Sequence, residues 1–302
     1  MKNRAALTVQ YVLFLLLLPV AAYFGWCTFF RHAPPPLPED LSRTFNRKSA
    51  SAHLKELKSL SSDLSHNKSD IYKYIRKDIL SRGIRTTEFL TPLREPGREM
   101  RNIAAVVPGA SQDREMLIVA TGYDLQNKRG GSLCSGGDIA LTLELSRLFS
   151  VKRHGMTIWF LFMDGRCEDG RGSPGAAEKL AEELSKSGEI SQLRALISLT
   201  LPAGSASDLA CRSDSSGDLL NAFKSALLKV KKDYLFRGRT VESSGDFKAF
   251  SARGVPVLEI LDDRKENTAD SSEEALRSLW DLGSAMEAVI TSIDSQPSRQ
   301  GD

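Results

Sequence analysis

Residues 102–173 hold two long apolar runs, each closed by a turn rich in glycine and acid, with one helical segment between them. The first run, Met116-Leu117-Ile118-Val119-Ala120, leads into Thr121-Gly122-Tyr123-Asp124. A turn containing Gly130, Gly131, Gly136 and Gly137 then opens a helix over 139–149. The second run, from Met156 to Met163, ends in Asp164-Gly165-Arg166-Cys167-Glu168-Asp169. Unbroken apolar runs of this length suit strands buried on both faces of an open α/β sheet. In such sheets the chemistry collects in the loops after the carboxyl ends of the strands. Asp124, Asp164, Arg166, Glu168 and Asp169 are therefore candidate pocket residues.

The rest of the chain fits that frame. Leu54, Leu57 and Leu60 share one face of a first helix, and Ile71, Ile75, Ile79 and Leu80 one face of a second. Arg85–Leu93 and Arg101–Val107 read as a strand pair joined around Pro96-Gly97. Beyond the central stretch come a helix over 174–187, a strand over 195–201 stopped by Pro202, a helix over 218–230, a strand over 255–260 and a closing helix over 272–293. Strands alternating with helices predict a three-layer α/β/α domain around a mixed, mostly parallel sheet. The domain is expected to span 49–293, with a disordered polar tail over 294–302.

The amino terminus has a different character. Residues 5–30 are apolar apart from Thr8, Gln10 and Thr28, enough for the roughly 20 residues that cross a bilayer. Tyr23, Phe24, Trp26, Phe29 and Phe30 resemble an interfacial belt more than a cleavage site, so an uncleaved single-pass anchor is expected within residues 1–32, after a short cytoplasmic stub. Lys2 and Arg4 before the span are outnumbered by Arg31, Arg43, Arg47 and Lys48 after it. Long domains translocate largely regardless of such charge, and the expectation is an extracytoplasmic domain. A Pro-rich spacer over 33–48, with Pro34-Pro35-Pro36-Leu37-Pro38 at its heart, holds that domain off the membrane.

Composition removes several function classes. A net charge of +3, with Lys and Arg scattered along 302 residues, argues against a nucleic-acid platform. Cys27, Cys134, Cys167 and Cys211 are too few for a disulfide scaffold and contain no CxxC pair. The four His (His32, His53, His66, His154) lie outside the turns of the central stretch, and the last three read as surface residues.

The order of Asn102-Ile103-Ala104, Tyr123-Asp124, Leu143-Glu144-Leu145-Ser146-Arg147, Asp164-Gly165, Gly172-Ser173, Phe250 and Gly254-Val255-Pro256 resembles the zinc aminopeptidase and glutaminyl cyclase family, the di-zinc exopeptidases. The resemblance implies a mixed sheet flanked by helices. It also implies two zinc ions held by His and carboxylates, with a separate Glu deprotonating the shared water. Carried over position by position, those roles fall on unsuitable residues. The first His ligand corresponds to Gly122, the bridging Asp to Cys134, the general-base Glu to Arg166 and the adjacent Glu ligand to Cys167. The Asp ending the next strand corresponds to Thr200, the last His ligand to Asn267 and a non-ligand His to Phe247, beside Asp246 in the pocket segment. No catalytic residue and no metal is then expected, although a shifted alignment lets Glu168 or Asp169 stand as the acidic pair.

The same resemblance brings Arg166 near Asp124 and Asp164, where it either pairs with one acid or stands solvated on its loop. It also brings Cys134 and Cys167 together, as a disulfide in an oxidising compartment or as two buried reduced thiols. The reading is a membrane-anchored, catalytically inert relative that binds an unknown protein or peptide partner. The alternatives are an active zinc aminopeptidase or glutaminyl cyclase with displaced ligands, and a redox-sensitive thiol protein.

Overall fold

The computed structural model describes residues 43–62, 68–92, 99–111, 114–123, 136–164, 174–201, 209–212, 214–230, 240–241, 247–262 and 273–297. The chain divides into residues 1–39 and 40–302, and every described residue belongs to the second part. Helices α1 (Arg47–Ser62) and α2 (Lys68–Ser81) lead into the hairpin β1 (Arg85–Pro92) and β2 (Glu99–Val107). There follow β3 (Met116–Gly122), α3 (Gly136–Val151), β4 (Thr157–Met163), α4 (Pro174–Lys186) and β5 (Leu193–Thr200). The chain closes with β6 (Leu209–Arg212), α5 (Gly217–Val230), β7 (Thr240–Val241), α6 (Lys248–Ser251), β8 (Val257–Asp262) and α7 (Glu273–Asp294).

The eight strands run in the order β1-β2-β4-β3-β5-β8-β6-β7. The four central strands, β4-β3-β5-β8, are mutually parallel. The antiparallel pairings, β1 with β2, β2 with β4 and β6 with β8, lie to either side of them. A parallel neighbour needs a long crossover and a hairpin does not, so the centre is built from strand–helix units and one flank from a hairpin. Side chains alternate across the sheet with period two, so each strand feeds two cores. Leu117, Val119, Phe160 and Ile197 join α1, α2, α3, α5 and α7 on one face. Ile118, Ala120, Leu161 and Leu196 meet α4 and the short α6 on the other. The three-layer architecture expected from the sequence is present in this form.

Helix α3 is the hub. Almost its whole length is buried, because the sheet lies on one side and α1, α2 and α7 cover the other. A helix apolar all round belongs in such a place, and its polar residues must find partners there. Glu144, fully buried, accepts from Arg147 Nε at 3.0 and 2.9 Å and from Arg147 Nη2 at 2.6 Å. Glu144 also accepts the Asn46 N–H at 2.8 Å, while Arg147 donates to the Thr44 carbonyl at 3.3 Å. The pair therefore fastens the start of α1 onto α3.

Several expectations change. Residues 43–48, assigned to the spacer, are docked in their described part: the Phe45 ring sits against Gly283 of α7, where a Cβ would lie 2.3 Å from it. Asp294 to Pro297, assigned to a disordered tail, are also held. Asp294 accepts the N–H groups of Gly155 and Met156 at 2.8 and 2.7 Å, and Arg194 donates to the Pro297 carbonyl at 2.8 Å. His53 and His154 are buried rather than superficial, both engaged in hydrogen bonds. The elements β6, β7 and α6 were not foreseen; four residues or fewer carry no readable period. Among the described residues no helix is long and apolar enough to cross a membrane, and the span expected at 5–30 lies outside them.

Candidate functional site

Parallel register brings the ends of the central strands into one row. Gly122 pairs with Met163, the residue before Asp164. Thr121 pairs with Leu199, which sets Gly122 level with Thr200, and Thr200 pairs with Leu261 at the end of β8. Two positions the sequence resemblance singles out, Gly122 and Thr200, thus stand on the same edge beside Asp164. Phe247 is buried, its ring centroid 6.0 Å from that of Phe250. The other named positions lie outside the described residues: Asp124, Cys134, Arg166, Cys167, Glu168, Asp169, Asp246 and Asn267.

Asp164 is buried and fixed by the neighbouring antiparallel strand. Its N–H donates to Asn102 Oδ1 at 2.9 Å, and its Oδ2 accepts the Arg101 N–H at 3.2 Å. Tyr123 completes the wall: its N–H donates to the Met163 carbonyl at 3.0 Å and its hydroxyl to the Arg101 carbonyl at 2.6 Å.

Asp138 is the residue that sequence reasoning missed. It sits in the first turn of α3, almost fully buried, where its Oδ1 accepts the Ile139 N–H at 2.9 Å and its Oδ2 the Leu201 N–H at 3.3 Å. It ties the end of β5 to the beginning of the hub helix. An acid directly after Gly136-Gly137 at a helix start was the available signal.

The donor chemistry of the described row does not suit zinc, which is bound by imidazole nitrogen, thiolate sulfur and carboxylate oxygen. Gly122 has no side chain, and Thr200 offers only a hydroxyl. Among the described residues no group of three or more His, Cys, Asp and Glu gathers to hold a metal. Cys211, on β6, is buried, and burial pushes its thiol up to about 12, which keeps it protonated and unreactive.

No protein-family model matches the chain, and no curated protein does. Solved structures do. A glutaminyl cyclase from an Acidobacteriales bacterium superposes with a TM-score of 0.66 at 21% identity, covering 88% of this chain and 100% of that one. The glutaminyl cyclase of Porphyromonas gingivalis gives a TM-score of 0.67 at 13% identity, over 83% and 99% of the two chains. A Zn-dependent exopeptidase from Parabacteroides distasonis gives 0.63 at 14% identity, over 84% and 99%. The chain therefore has the fold shared by glutaminyl cyclases and zinc-dependent exopeptidases, as the order of its sequence motifs implied.

Proposed function

We propose that this chain is a zinc-exopeptidase scaffold that no longer binds metal or catalyses hydrolysis, and that serves as a membrane-anchored binding module. One observation carries the reading: Gly122 and Thr200 occupy neighbouring strand ends where the family resemblance implies a His and an Asp ligand. Arg166 adds to it in sequence, because a guanidinium at the general-base position has no lone pair to take a proton. At that turn Arg166 either pairs with Asp124 or Asp164 or stands solvated on its loop. Cys134 and Cys167 replace carboxylates on the same loops, as free thiols or as a covalent clip. Residues 5–30 hold the chain in the membrane with the domain on the extracytoplasmic side.

The test is elemental analysis of the full chain purified in a neutral detergent, with aminoacyl and glutaminyl substrates assayed before and after a chelator. No stoichiometric zinc and no chelator-sensitive turnover are expected. Bound zinc together with turnover that the chelator abolishes would establish the active enzyme instead.

A further inference from the structure

Beside the site wall, on the outer side of Arg101, helix α2 and the β1–β2 hairpin enclose an open cleft of about 790 Å³. Among the described residues its lining carries four cations, Lys73, Arg76, Lys77 and Arg101, against one carboxylate, Glu88. That carboxylate is already engaged, because a hydrogen bond from Tyr72 and the 3.0 Å contact with Arg76 hold it below the usual range. Among the described residues Lys73 pairs with Asp70, a part-exposed partner three residues away that binds it weakly. Lys77 makes no ion pair among the described residues, and Arg101 lies 5.2 Å over the Tyr72 ring. The cleft is left with an excess of exposed positive charge over an aromatic floor, and Leu80, 42% exposed, forms an apolar rim.

We propose that this cleft binds a short acidic segment of a partner polypeptide. Its length runs along α2 from Tyr72 to Ser81, roughly 13 Å at the helical rise, which accommodates about four residues of extended chain. Acidic side chains meet Lys73, Lys77 and Arg101, while an apolar side chain covers Leu80. The cations stand along a shallow, open depression, which an extended peptide can follow. The face of Tyr72 is covered by Arg101, so the cleft lacks the free rings on which a nucleic-acid strand stacks. The inference rests on the binding role proposed above for its biological sense, yet its test reads peptide binding directly and the earlier one reads zinc and turnover.

The experiment is fluorescence anisotropy of the full chain in neutral detergent with a labelled short peptide of glutamates around a single leucine. A lysine counterpart, inorganic phosphate and phosphatidylserine vesicles are run alongside. The glutamate peptide should bind and weaken with added salt. The exposed double variant Lys73→Glu, Lys77→Glu should bind it about tenfold more weakly, and Lys73→Arg, Lys77→Arg should bind it as the native chain does. The inference is overturned by failure of the native chain to bind, by equal affinity of the charge-reversed chain or by equal binding of the lysine peptide. Capture by vesicles without capture of the peptide overturns it in favour of a lipid surface.

Discussion

His53 sits in a buried knot between the first two helices and the hub. Arg82 Nη2 donates to His53 Nε2 at 2.7 Å and to Asp78 Oδ1 at 2.9 Å, while Arg82 Nη1 reaches the Leu143 carbonyl at 2.9 Å. Since Nε2 accepts, the ring proton lies on Nδ1 and is donated to the Tyr74 hydroxyl, 2.7 Å away. Burial, with Arg82 and Arg147 nearby, lowers His53 to about 3; burial, with Glu144 adding and Arg82 opposing, raises Asp78 to about 6. The two shifts act on stability with opposite signs. Below about pH 6.5 the unfolded chain protonates His53 and the folded chain does not, so acid destabilises through this group. Between about pH 6 and pH 4 the folded chain protonates Asp78 and the unfolded chain does not, so acid stabilises through it. The two contributions should therefore nearly cancel across this window. Unfolding free energies from urea denaturation at about pH 6.5 and pH 5 should rise with acid in His53→Gln and fall in Asp78→Asn, each by about 1 kcal/mol. Two variants with the same slope would contradict the assignment.

At the scale of elements, α3 decides how the layers hold together. Its Glu144–Arg147 pair is shielded from water and bonds to the backbone of Thr44 and Asn46, so removing one partner leaves a buried charge exposed to no compensation. Glu144→Gln should lose about 3 kcal/mol in urea denaturation, and adding Arg147→Met should restore much of it, because the double variant leaves no buried charge without its partner. A second variant as damaging as the first would mean that packing, not charge, holds α1 to the hub. Close approach sets other contacts of this kind. Gly109 lies against Gly155, where a Cβ would stand 1.9 Å from the Gly155 carbonyl oxygen, so the chain after β2 and the chain before β4 meet without side chains between them.

For the whole molecule, the pocket edge is a product of strand order. On the function proposed above the scaffold gains nothing from zinc, since only a ligand that prefers the folded state raises its stability. Thermal unfolding of the full chain should keep its midpoint when zinc is added or a chelator is present. A rise with zinc would return the chain to the enzymes that its fold resembles. Much of the architecture was legible in residues 102–173, because strands buried on both faces are written as unbroken apolar runs and the hub helix as apolar on every side. The burial of His53 was not, since it depends on α1 and α2 closing over α3 from distant parts of the chain. Nor was the engagement of Asp138 with the end of β5. Local pattern determined which segments are strand or helix, because period and turn chemistry act over a few residues. Only tertiary structure decided which charges face one another, because the neighbours of a buried group are chosen by sheet order and register, which no short stretch of sequence contains.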